Sequence, residues 1–125
     1  MSTMNRLYNS SNAYQGEALR VLCVCSAGLL RSPTAAVVLA GEPWNHNTRA
    51  AGLVEDYALI YADDCLLQWA DQIVCMTEEQ MNEVILRLKL LGKHELTNVI
   101  CLHIPDNFKY RDPQLIKLIK EKYIY

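Results

Sequence analysis

Long apolar runs, clusters of basic residues and a paired cysteine framework are all missing from this chain, and each absence removes a class of function. Within its 125 residues no apolar stretch approaches the ~20 that spanning a bilayer requires, so a membrane partner is not expected. Net charge is −2 and the isoelectric point about 5.9. With no basic run and no interleaved basic and aromatic patch, nucleic acid is not an expected partner either. Residues 1–16 are polar and lack the apolar centre of a signal peptide. The cysteines, Cys23, Cys25, Cys65, Cys75 and Cys101, are odd in number, and no pair has zinc-ligand spacing. The histidines, His46, His94 and His103, form no metal-ligand pattern. The expectation is a reduced, cytoplasmic protein that needs no metal and no other cofactor. Cys23, Cys75 and Cys101 lie in apolar, strand-like runs and read as small buried hydrophobes.

What is present is a hydrophobic content of 51%, enough for a core in one domain of this size. Residues 1–18 read as a mobile polar tail rich in Ser and Asn, and residues 19–125 as a single α/β domain without repeats or an interdomain linker. Strands are expected at 19–25, 47–52, 71–76 and 99–104. Helices are expected at 33–41, at 63–69, from Thr77 and from Asp112-Pro113. Thr77-Glu78-Glu79-Gln80 is a capping box, followed by Met81, Val84, Ile85, Leu88 and Leu91 at helical spacing. In the last helix Leu115, Ile116, Leu118 and Ile119 form the buried side. Strands alternating with helices argue for a four-stranded parallel sheet with helices on both faces. Ligands of such sheets sit outside the carboxyl ends of the strands.

The chemistry concentrates at one such end. The apolar run Val21-Leu22-Cys23-Val24 leads into Cys25-Ser26-Ala27-Gly28-Leu29-Leu30-Arg31-Ser32, and Pro33 then opens a helix. A loop between a strand end and a helix start meets unpaired N–H groups that attract anions. A cysteine placed there is pushed toward thiolate. Arg31, separated from Cys25 by five residues, offers a planar fork that matches two phosphate oxygens. Ser32 suits a helix N-cap, and a hydroxyl near the sulfur also stabilises a thiolate. Together these are the parts for phosphoryl transfer through a phosphocysteine, with residues 26–32, namely Ser26, Ala27, Gly28, Leu29, Leu30, Arg31 and Ser32, cradling the phosphate.

At these residues the chain resembles the low-molecular-weight protein tyrosine phosphatases, whose signature is a strand, Val-Cys-x-x-Asn-x-x-Arg-Ser-Pro, and a helix. It is most similar to a short bacterial and phage branch of that family. Val24-Cys25-Ser26 and Leu30-Arg31-Ser32-Pro33-Thr34-Ala35 match. Gly28 stands where the family has an Asn whose side chain holds the loop; glycine accepts a left-handed backbone but makes no side-chain bonds. Leu30 replaces a second loop cysteine, which excludes a protective disulfide inside the loop. The resemblance implies Cys25 as nucleophile, Arg31 as phosphate ligand, a phosphorylated protein or small aryl or alkyl phosphate as substrate, and an aspartate after the last strand as general acid. Asp106, in Ile104-Pro105-Asp106-Asn107-Phe108, is preferred to Asp112, which already serves as a cap before Pro113. Phe108 and Tyr110 are candidate walls for a phenyl ring, with Trp44 a weaker one. Three alternatives stay open: arsenate reduction on the same loop, with Cys65 and Cys75 considered as the relay; a phosphate-binding module without turnover; and a phosphocarrier. Oligomeric state is left open.

Overall fold

The computed structural model describes residues 18–26, 31–56, 58, 60–105 and 107–123. The expected tail, residues 1–18, lies outside them apart from its last residue. Four strands, β1 (Arg20–Cys25), β2 (Asn47–Gly52), β3 (Gln72–Cys75) and β4 (Asn98–Cys101), form one sheet in the order β2-β1-β3-β4. Every pairing is parallel, with Cys23 opposite Ala50 on one side and Val74 on the other. The helices are α1 (Arg31–Ala40), α2 (Asp64–Trp69), α3 (Glu78–Leu90) and α4 (Pro113–Lys122).

The central strand explains the layering. Five of the six β1 residues are buried, as expected of a parallel strand covered on both faces. Because side chains alternate along a strand, Val21, Cys23 and Cys25 enter one core with Ala35 and Leu39 of α1 and Leu115 and Ile119 of α4. Leu22 and Val24 enter the other, with Leu66 and Leu67 of α2 and Val84 and Leu88 of α3. Of the stripe expected on α3, Val84 and Leu88 are fully buried, while Met81 and Leu91 pack at the core's margin. On α4, Leu115 and Ile119 are fully buried and Ile116 and Leu118 only partly so.

Two boundaries differ from the sequence reading in ways that shape the site. The first helix begins at Arg31, not Pro33. Ser32 is therefore inside the helix, and its hydroxyl turns to Cys25 and to the Ala51 carbonyl instead of capping. The fourth strand stops at Cys101 although Leu102 N still donates to Cys75 O and Ile104 N to Met76 O. His103 between them has φ 55°, and a left-handed residue cannot continue a pleated strand.

Candidate active site

Cys25 is the last residue of β1, and its strand partner there is Gly52, the last of β2. The β1–β2 ladder runs on past the strand ends: Leu53 N donates to Cys25 O and Val54 N to Ser26 O, both at 2.9 Å. The backbone pairing with the segment after β2 thereby extends as far as Ser26. Cys25 is only 3% exposed, and its Sγ lies 3.2 Å from Ser32 Oγ in the first turn of α1. Ser32 is fully buried, and Ala51 O is a second acceptor for its hydroxyl at 3.4 Å. Its single proton can serve the sulfur or the carbonyl, and a thiolate is the stronger claimant.

Arg31 is 3% exposed. Nη1 donates to Ile104 O at 2.8 Å, so the guanidinium reaches from the start of α1 across the sheet edge to the chain leaving β4. A charge this buried is costly unless compensated. Here it adds to the positive end of a helix. The structure thus brings Cys25, Arg31 and Ser32 together at one carboxyl edge. Of the remaining expected site residues, Ala27, Gly28, Leu29, Leu30 and Asp106 lie outside the described residues. Beyond Arg31 a groove opens between the turn at Met76, Thr77 and Glu78 and the chain at Ile104 and Pro105.

The segment after Asp106 returns to the same helix. Arg111, at φ 58°, donates its N–H to Thr34 Oγ1 at 2.8 Å. Phe108 packs against the first core and Tyr110 is half exposed, with the Arg111 guanidinium 5.8 Å from its ring centre. Asp112 accepts from Gln114 N at 2.9 Å as the N-cap of α4, the structural task expected of it. Trp44 lies instead at the opposite edge of the sheet, edge-to-face with Tyr123 at 5.7 Å between ring centres. It follows the far end of α1, so it cannot wall the Cys25 loop.

The other cysteines separate by environment. Cys23 and Cys75 are fully buried, and Cys65 and Cys101 partly so. Burial, and after it the neighbouring Cys25, pushes the Cys23 thiol far up. Burial, then Cys101, Cys23 and Glu83, does the same to Cys75. Both stay protonated and inert. Cys101 departs from the expectation of full burial because β4 is an edge strand. Among the described residues no group of three or more His, Cys, Asp or Glu is placed to hold a metal ion, and no helix is long and apolar enough to cross a membrane.

Two solved structures share this architecture. The YwlE arginine phosphatase from Geobacillus stearothermophilus matches over 82% of this chain and 88% of its own, at 18% sequence identity and TM-score 0.59. Wzb from Vibrio vulnificus, in complex with benzylphosphonate, matches over 84% of this chain and 94% of its own, at 16% identity and TM-score 0.63. This chain has their fold. No family model and no curated protein is matched by the sequence.

Within that fold, three contributors to the site escape a reading of the sequence. Thr34 enters the sequence reading only as a matched motif position, and its tie to Arg111 is not legible there. The Ile104 carbonyl becomes a partner of Arg31 only through the sheet order. Gln80 is legible as half of a capping box, and both of its cap bonds form. Its contact with Ser26 across 54 positions of chain is not legible, because no local pattern encodes it.

Proposed function

We propose that the protein is a phosphomonoester hydrolase of the tyrosine-phosphatase type that works through a phosphocysteine on Cys25. The observation that carries this reading is the 3.2 Å approach of Cys25 Sγ to Ser32 Oγ beside a buried Arg31. A nucleophile, its stabilising donor and an anion-binding charge thus converge at a helix start. Phosphate sits against Arg31 and the backbone N–H groups of residues 26–32. The Cys25 thiolate attacks phosphorus in line; the S–P bond forms as the bond to the leaving oxygen breaks, and Asp106 protonates that oxygen. Water then attacks the phosphocysteine and gives its proton to the Asp106 carboxylate, which releases inorganic phosphate. The sulfur departs as thiolate and receives the Ser32 hydrogen bond.

The assignment of Asp106 is supported by its place directly after Ile104 and Pro105, which line the groove beside Arg31, and by the capping task of Asp112. Phe108 and Tyr110 flank the leaving group. Residues 19–125 act as one domain in a reducing compartment, the cytoplasm. The test is phosphate release from phosphotyrosine peptides and from aryl, serine and nucleotide phosphates. Phosphoarginine belongs in the same screen, since one protein of this fold is an arginine phosphatase. Cys25→Ser is expected to bind phosphate but not turn over, because a hydroxyl keeps the shape and loses the nucleophile. Activity in Cys25→Ser above a few per cent of wild type excludes the phosphocysteine route.

A further inference from the structure

The loop after β1 is gripped on its two flanks by different means. On the β2 flank the backbone ladder extends to Ser26 through Val54 N. On the β3 flank the β1 ladder ends at Val24 opposite Cys75, because the chain beyond turns into α3. The Met76 N–H, next in line, donates to Gln80 Oε1 at 2.9 Å, and Thr77 N donates to the same oxygen at 3.3 Å. With its oxygen committed to two N–H groups, the Gln80 amide can point only its nitrogen away from the turn. That nitrogen lies 3.4 Å from Ser26 Oγ. Gln80 is 7% exposed, so the amide is held in place by its surroundings. Gly28, further along the loop, has no side chain with which to share this task.

We infer that Gln80 is a positioning residue for the Cys25 loop: it replaces the missing backbone ladder on the β3 flank and, through Ser26, fixes the residue next to the nucleophile. The inference rests on the phosphatase reading above. A shared hydrogen bond of this kind reveals itself as coupling between its two partners, not as the size of either loss. Ser26→Ala removes the acceptor and leaves both cap bonds of Gln80 intact. Gln80→Met removes the amide at similar length. The pair gives a double-mutant cycle, read as kcat and KM for p-nitrophenyl phosphate alongside melting temperature. In the wild-type background, Ser26→Ala is expected to lower kcat by ~10-fold with KM and melting temperature nearly unchanged, the scale of one lost coupling. In the Gln80→Met background the same change is expected to cost nothing further. Equal losses in both backgrounds overturn the inference, since Gln80 then acts on α3 alone. Where Gln80→Met does not fold, Ser26→Ala and Ser26→Thr decide. Loss of kcat in the first with recovery by the restored hydroxyl in the second supports the tie, and a Ser26→Ala within twofold of wild type overturns it. A wild type that releases no phosphate sinks the phosphatase reading itself, an outcome distinct from an active wild type with additive variants.

Discussion

Ser32 has one proton and two acceptors within reach, Cys25 Sγ at 3.2 Å and Ala51 O at 3.4 Å. That competition gives it a role at one stage of the proposed cycle. Its hydrogen bond matters most when sulfur carries full charge, as it does when it leaves phosphorus. Ser32→Ala is therefore expected to slow hydrolysis of the phosphocysteine by ~10–100-fold, the worth of a hydrogen bond to a charged group. Its formation should slow less. Rapid mixing with an aryl phosphate should then show a burst of phenolate, and a variant without one would place the slow step elsewhere. Arg31 answers to a different constraint. Its Nη1 donates to Ile104 O, and the phosphate proposed to sit there asks the same planar group to engage an anion as well. Lysine offers a point charge and cannot keep both engagements. Arg31→Lys should bind phosphate more weakly and turn over more slowly, as calorimetry and steady-state rates would record; wild-type behaviour would remove Arg31 from the site.

At the scale of elements, the proposed function gives the two aspartates after β4 different tasks. Asp112 caps α4 through Gln114 N, and Pro113 presets the first turn. Asp112→Ala is expected to lower stability by ~0.5–2 kcal/mol while Asp112→Asn leaves it nearly unchanged, since both Asn and Asp cap well. Neither should alter the dependence of rate on the leaving group. Asp106→Asn should do the reverse. Its rate loss, ~10²–10⁴-fold for a general acid, should be large for phenyl phosphates and small for nitrophenyl phosphate, whose leaving group needs little protonation. Rates across an aryl phosphate series, with melting curves, separate the two. A leaving-group effect in Asp112→Asn alone would reverse the assignment. The Arg111 N–H bond to Thr34 Oγ1 ties the segment leading into α4 to the helix that carries Arg31.

Across the whole molecule, the edge opposite Cys25 carries a buried polar cluster. Tyr123 OH donates to Gln72 Oε1 at 2.6 Å and lies 3.1 Å from His46 Nε2. Burial, and after it the neighbouring Cys23, pushes the Tyr123 phenol up to about 12 against the bond with Gln72, so it keeps its proton. Burial also lowers the His46 pKa from its ordinary 6.5. Above that value folded and unfolded histidine are both neutral and the full stability is present. As pH falls below it, the unfolded chain takes up the proton first, so stability declines. Melting temperature is expected to fall between pH 7 and pH 5 (both ~) in wild type, with a flatter course in His46→Gln. Equal slopes would assign the acid sensitivity to another group. Asp71 adds a second loss at lower pH. Burial alone would raise its pKa, but the hydrogen bonds and charge of Arg20, with Lys93, outweigh that and hold it below 3.8. Its contribution is present above that value and is lost as pH falls through the depressed one. Sequence alone determined whatever depends on near neighbours along the chain: β1 from its unbroken apolar run, the caps at Thr77 and Asp112, and Cys25 and Arg31 flanking a strand-to-helix turn. Each is encoded within a few residues, where spacing and side-chain chemistry suffice. Tertiary structure alone decided the contacts made between segments far apart in the chain. These are Arg31 to Ile104 O, Ser26 to Gln80, Thr34 to Arg111, and Lys93 to the carbonyls of Leu67, Gln68 and Ala70 at the end of α2. Those partners are set by the strand order β2-β1-β3-β4, which depends on how both faces of β1 are covered at once and on no local pattern in the chain.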